Sequence, residues 1–360
     1  MKRILAIILA AVMVLGLCAC GSSGTASGGT AAAGDSAPAN SESEKVETRV
    51  LKLAMQQVEG SPNYDVALDW LVPQIEERTG GRYTFEVFGG SQLSGGNQLK
   101  GIEMCQKGTI DFCIHSNIVL SNIIPTVSAI AIPWLWDNDE QVYSVLTEGT
   151  PVYERYKEIL AESGLVLLGF PDLGFRELTN NVRPVSTPED LKGLKMRVLS
   201  NNMLNDVFRS WGCNVVYLDG GEIYTGLQQG TIDGQENPLL AHNIPFKMYE
   251  VQKYYTVWSY VYDPLVIMCS PDVWNTIPEE DQAIFREVFA EFVQQERKVT
   301  QDNFADGMKF IEDYGIEINY LTDEQKEVFK DSIKDVVAPY IESFDPELVK
   351  LIYEAVGKTA

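Results

Sequence analysis

The sequence predicts an α/β fold of two lobes with one long helix lying across both. Strand-like and helix-like segments alternate in two series along the chain, the pattern of parallel sheets covered by helices. A charged amphipathic run from Pro278 to Tyr314 has no glycine or proline after its start until Gly307. Its length suits a helix that reaches over two bodies. The chain beyond its polar N-terminal stretch, about 310 residues, is long for one core and fits two lobes.

The N-terminus reads as an export signal. Lys2 and Arg3 precede an uncharged apolar run, Ile4 to Leu17, which is too short for a spanning helix. It closes in Leu17-Cys18-Ala19-Cys20, followed by Gly21-Ser22-Ser23-Gly24, and resembles a bacterial lipobox. Residues 1–19 are then a removed signal peptide and Cys20 the lipidated first residue, with an unlipidated signal peptide as the alternative. Residues 20–46 are rich in Gly, Ser, Ala and Thr and have little to bury, so they read as a flexible tether with a reach of roughly 25–30 Å. The expected location is the outer face of the cytoplasmic membrane, or the periplasm.

The body starts with an alternating strand, Arg49 to Met55, and a polar loop to Asn63. Tyr64 to Thr79 carries Ala67, Leu68, Leu71 and Ile75 at helical spacing and ends at Gly80-Gly81. Strands over Tyr83–Phe88 and Ile110–Ile114 flank a helix at Leu99–Lys107. The second series has extended segments at Leu165–Phe170, Phe175–Asn180, Leu194–Leu199 and Asn214–Leu218. Its helices are a short one opened by Thr187-Pro188, then Asn202–Trp211 and Glu222–Gln229. In the long run, Ile284, Phe285, Val288, Phe289, Phe292 and Val293 form a wide stripe suited to both lobes. Helices at Thr322–Ile341 and Pro346–Val356 complete the chain. The expected lobes are 47–174 with 263–302, and 175–262 with 303–360.

Composition and motifs exclude several chemistries. A formal charge of −23 argues against nucleic acid, whose phosphates demand basic stripes, and removes any long-range steering of anions. An anion site must therefore rest on local donors. Two isolated histidines leave no basis for a zinc site, and no Walker loop, Gly-x-Ser-x-Gly elbow or dinucleotide fingerprint occurs. No metal, no cofactor and no catalysis are expected. Cys105, Cys113, Cys213 and Cys269 sit in apolar stretches without Cys-x-x-Cys spacing and read as buried thiols.

A stretch of about ninety residues carries the specific signal. It contains Gly174-Phe175-Arg176, Lys195-Met196-Arg197-Val198, and Glu222-Ile223-Tyr224 running through Gly234-Gln235-Glu236-Asn237-Pro238 to Tyr249-Glu250-Val251. Together with Gly108-Thr109-Ile110-Asp111 and Ile132-Pro133-Trp134 it resembles the DctP family of TRAP transporter solute-binding proteins, from residue 50 to about 340. The resemblance implies a periplasmic-binding-protein-like fold that closes on a small carboxylate and delivers it to TRAP membrane subunits. It makes Arg197 the main partner of the ligand carboxylate, with Arg176 assisting and Asn237 donating from the same lobe. A planar guanidinium matches a carboxylate with two charge-assisted bonds, which lysine cannot do. The competing use of these arginines is an ion pair with Glu177 or Asp190, and that of Asn237 a turn cap before Pro238.

One position departs from the family pattern. Where many members carry an aromatic residue on the ligand, this chain has Gly220, beside Asp219. The space and the carboxylate favour a polyhydroxylated acid such as a uronate or aldonate, although Asp219-Gly220-Gly221 also suits a plain turn. Gln56 and Glu59 after the first strand, His115 and Ser116 after the third, and Tyr260 are further candidate contacts. A C4-dicarboxylate or keto acid as ligand, and a membrane receptor as the partner of a sensing protein, remain alternatives.

Overall fold

The computed structural model describes residues 47–358, so the readings of the signal peptide, of Cys20 and of the tether lie outside the described residues. Ten strands form one mixed sheet: β1 Arg49–Met55, β2 Tyr83–Phe88, β3 Phe112–Ser116, β4 Val166–Gly169, β5 Asp172–Asn180, β6 Lys195–Arg197, β7 Asn214–Val216, β8 Gly234–Asn237, β9 Tyr254–Cys269 and β10 Glu317–Tyr320. Their order is β2-β1-β3-β9-β5-β8-β6-β7, and β4 and β10 both pair with β9. Each end of the sheet is parallel, β1 with β2 and β3, and β6 with β7 and β8, as the alternating pattern predicts.

Two antiparallel strands join the lobes. The last residues of β9, Leu265–Cys269, pair with β3, while its first, Tyr254–Val257, pair with β10. β5 runs beside it with register shifts at Asp172/Gly174 and at Arg176/Leu178. At the second shift Ser259 has φ +49°. The buried Glu177 carboxylate accepts the Trp258 and Ser259 N–H groups at 2.7 and 2.9 Å and the Ser259 hydroxyl at 2.9 Å. One side chain thus satisfies the polar groups the bulge releases.

Sequence patterning assigns no strand to β8 or β9 and no helix to Asp139–Val145 or Pro151–Glu162. β8 is Gly-Gln-Glu-Asn and fully buried. Its polar side chains bond one another and their neighbours, an arrangement with no hydrophobic period to read. The first predicted helix is present over Pro62–Arg78, with a π-helical stretch at Ala67–Leu71 just before Pro73. The proline ring, which lacks an N–H, cannot continue the regular ladder there.

The long helix spans Glu279–Tyr314, about 54 Å at 1.5 Å per residue. Phe285, Val288, Phe289 and Phe292 are wholly buried against Phe85, Phe112 and Trp274 in the first lobe. Beyond them Gly307 lies against Leu240 and Ile244, and Ile311 packs with Leu239 and Tyr255 in the second. The helix therefore touches both lobes, but the predicted stripe packs in the first and later residues make the contacts with the second. The last helix, Pro346–Val356, departs from the expected boundary: it packs on Pro151–Glu162 of the first lobe, where Arg155 holds Asp345 at 2.8 and 3.1 Å. Its apolar face, Leu348, Val349 and Ile352, finds the exposed side of that helix, a match that chain order does not encode.

The lobes are closed on each other. Asn122 donates to the Ser200 carbonyl at 2.6 Å, and Asn201 donates to Ser121 and Ser128 at 2.9 and 2.7 Å. The four body cysteines are buried free thiols. Among the described residues, no helix is long and apolar enough to cross a membrane.

Candidate functional site

The site grows from strand ends that meet at the lobe junction. β6 is short and ends in Arg197, paired with Val216 of β7 and Gln235 of β8. Arg197 is 2% exposed. Its Nε donates to the Leu218 carbonyl at 3.0 Å, and its buried Nη1 has no partner. Burial pushes the Arg197 pKa down to about 10; Glu236 opposes the shift and Arg176 reinforces it. The guanidinium still remains charged at neutral pH.

Arg176 lies beside it under different terms. The sequence places it on a ligand carboxylate, or in a pair with Glu177 or Asp190. The structure gives its donors to Glu236, to Asp263 at 3.1 Å and to the Asn237 side-chain oxygen at 2.9 Å. Glu177 instead supports the bulge, and Asp190 caps the turn at Thr187. Burial would lower the Arg176 pKa, but the two carboxylates more than offset it and the value is raised. Asp263 is pushed up to about 6 by burial, against the pull of Arg176 and Ser116. Arg176 thus holds the cluster together and leaves Arg197 as its unsatisfied cation.

Three further candidates join this cluster as braces. The Ser116 hydroxyl sits 2.7 and 2.9 Å from the Asp263 carboxylate oxygens. Tyr260 donates to Glu236 at 2.9 Å. Asn237 accepts from Arg176 and donates to Gln235, so it is neither free nor a turn cap. Gln56 reaches the junction from the other lobe: its oxygen accepts from Ser91 at 2.6 Å and its nitrogen faces Gly220. Asp219 fits its reading as a turn residue and also faces the lobe junction. It caps the turn Gly220–Glu222, and it faces Asn97 of the opposite lobe at 3.4 Å.

Two candidates fall outside. Glu59 is exposed on the turn after β1. His115 points into the first lobe's core against Gly101, with neither ring nitrogen partnered, and burial lowers its pKa to about 4. The period of β3 accounts for this, because adjacent residues face opposite sides and Ser116 holds the side toward Asp263. Sequence reasoning missed His242. It is 8% exposed, its ring stacks on Phe246 at 4.3 Å, and its Nδ1 has no partner. Burial, with Arg197 and Arg176 nearby, holds its pKa well below the ordinary value. Its signal was a lone histidine five residues beyond Asn237 in an apolar run.

A narrow cavity lies between the lobes, lined by Arg197, Asp219 and Gly220 on one side and Leu99, Val119 and Asn122 on the other. A larger one lies along the joining strands. It is walled by Asp139, Asp172 and Glu177 and carries no lysine or arginine among its described lining residues, so it offers no match for an anion. The cavity that contains Arg197 is the candidate site.

Comparison with known proteins places the chain in a family. The profile of the family described as bacterial extracellular solute-binding protein, family 7, matches residues 53–343. The 2,3-diketo-L-gulonate-binding periplasmic protein of Escherichia coli (strain K12) is 31% identical over 268 residues, 73% of this chain and 78% of its own. A TRAP periplasmic solute-binding protein from Sulfitobacter sp. NAS-14.1 with bound β-D-galacturonate superposes with a TM-score of 0.79 at 26% identity, covering 86% of this chain and 100% of its own. One from Polaromonas sp. JS666, bound to D-erythronate, superposes with a TM-score of 0.79 at 28% identity, covering 87% and 100%.

Proposed function

Because the chain belongs to family 7 of the bacterial extracellular solute-binding proteins, we propose that it captures a sugar acid, a uronate or aldonate, and delivers it to the membrane subunits of a TRAP-type transporter. The unpartnered Nη1 of buried Arg197 carries the reading. A charged donor kept out of water without an acceptor is costly, and a ligand carboxylate removes the cost. Arg176, Asn237, Ser116 and Tyr260 hold Arg197's surroundings in place through Glu236 and Asp263, so the donor is preorganised.

Capture requires the lobes to part, admit the acid to Arg197 and close again with water excluded. Closure brings Gln56 and Asn97 of one lobe against Gly220 and Asp219 of the other, which places polar groups around the ligand's hydroxylated end. The closed form is what the transporter then recognises. Cys20 carries the lipid and residues 20–46 tether the body to the membrane, a reading supported by the spelling Leu17-Cys18-Ala19-Cys20. The function is binding and release without turnover.

A thermal-shift screen of the purified protein against sugar acids, dicarboxylates, keto acids and neutral sugars tests the proposal. A ligand at 100 times its dissociation constant adds about 2.7 kcal/mol of stability. Stabilisation by uronates or aldonates with neutral sugars silent is the expected result. A response to neutral sugars alone overturns it.

A further inference from the structure

The charges around Arg197 nearly close before any ligand arrives. Arg176 and Arg197 supply two positive groups, and Glu236 and Asp263, both wholly buried, supply two negative ones. Asp219 adds a further carboxylate on the cavity wall. Among the described residues, Arg197 is the only basic side chain that lines this cavity. One guanidinium with one free edge can neutralise one carboxylate.

Beside Asp219, Gly220 lines the cavity, and two polar side chains without formal charge converge behind it. At Gly220 a methyl group in place of hydrogen would sit 2.8 Å from Gln56 Nε2 and 3.9 Å from His242 Nε2, so both side chains converge on this backbone. Gly220 is buried, and its backbone is not in the left-handed region that favours glycine; the close approach is what requires it. The bond from Ser91 to the Gln56 oxygen orients the Gln56 nitrogen toward Gly220. His242, stacked on Phe246 and more than nine-tenths buried, turns Nε2 toward Gly220, while its Nδ1 has no partner. Burial, reinforced by the adjacent arginines, disfavours a proton on this imidazole, which then offers one donor and one acceptor and no charge.

We infer that this site selects a monocarboxylate, with the acid group on Arg197 and an uncharged hydroxyl or carbonyl end read by Gln56 and His242, and that it rejects the matching dicarboxylate. This rests on the sugar-acid reading above and narrows it. A second ionised carboxylate would lie among Gln56, His242 and Asp219 with no cation to meet it, and an unpaired charge at a closed interface is strongly disfavoured.

Matched ligands that share ring or chain stereochemistry and differ only at their ends give the test. Dissociation constants of the full chain are measured by calorimetry for glucuronate, gluconate and glucarate, and for galacturonate, galactonate and galactarate. The expected result is that the best monoacid binds roughly 100-fold or more tighter than the diacid of its series. The Gln56→Lys variant, which supplies the missing cation, then narrows that ratio at least about tenfold by improving the diacid. Equal binding of monoacid and diacid by the wild type overturns the selectivity while leaving sugar-acid capture intact. An unchanged ratio in a folded Gln56→Lys protein removes Gln56 from the contacts with the uncharged end. Failure of all six acids to bind overturns both the selectivity and the reading beneath it.

Discussion

Arg197 and Arg176 are two residues of one type, 21 positions apart, with opposite energetic roles. Arg197 is buried with a donor unused, a state that costs stability until a ligand arrives. Replacing it with methionine should therefore weaken ligand binding by about 2–5 kcal/mol while leaving the melting temperature of the unliganded protein unchanged or raised. An arginine with a purely structural role would lower both. Arg176→Met should do the reverse, because it strands Glu236 and Asp263 in the interior; a loss of about 3–5 kcal/mol in denaturant unfolding is expected. His115 supplies a pH effect of known sign. Its folded pKa, about 4, lies below the unfolded value of about 6.5, so the unfolded chain binds the proton first as pH falls. Its contribution is intact above pH 6.5 and is lost progressively down to about pH 4. Glu177 and Asp263, raised to about 7 and about 6, act oppositely and lose their contribution as pH rises through those values. Comparing His115→Met with wild type isolates the histidine. On going from pH 7 to pH 5 the unfolding free energy of the variant should move upward, relative to wild type, by about 2 kcal/mol.

At the scale of elements, the site depends on how closely β8 approaches β5. Gly234 makes that approach possible: a methyl group there would lie 2.3 Å from the Thr179 carbonyl oxygen and 2.9 Å from Met196 sulfur. One of these atoms is backbone, so the strands must move to relieve the contact. Gly234→Ala should cost at least about 2 kcal/mol, read as a lowered melting temperature, and should also weaken binding because Glu236 and Asn237 shift with the strand. The polar character of β8 explains both why it escapes pattern reading and why it matters. Gln235, Glu236 and Asn237 are buried and fix Asn243, Arg176 and Tyr260 rather than filling a hydrophobic layer. The predicted long helix, by contrast, was legible because an apolar stripe at helical spacing, Ile284 to Val293, sits in a charged run that no glycine or proline interrupts until Gly307.

For the whole molecule, closure is held by direct bonds as well as by any ligand. Asn122 and Ser200 exchange two hydrogen bonds across the junction, at 2.6 and 3.2 Å. Asn122→Ala should favour the open form without touching the proposed carboxylate contact. Stopped-flow measurement should then show dissociation faster by about 5- to 10-fold, with a smaller change in the association rate, as expected for losing one or two hydrogen bonds of about 1 kcal/mol each. An unchanged dissociation rate would mean that the junction contributes nothing to retention. The two joining strands, β5 and β9, carry Arg176, Tyr260 and Asp263 on the hinge itself, so the charge cluster and the moving parts are one structure.

Local sequence, by itself, determined the α/β class, the long bridging helix and the residues most worth attention at the site. Hydrophobic period and turn chemistry act over a few residues and are written in the chain. The motif around Arg197, Asn237 and Gly220 was legible for the same reason, as a run of specific residue types. Which arginine stays free was settled only by tertiary structure. The family resemblance ranked Arg197 above Arg176, but that the Arg176 donors are occupied follows only from Glu236 and Asp263, 60 and 87 residues away, being folded against it. The same holds for His115, turned into the core by the strand's period of two, for His242, brought to Gly220 from a different loop, and for the final helix, docked on the first lobe. Ion pairing and burial depend on distances between segments remote in sequence, and those distances exist only in the folded chain.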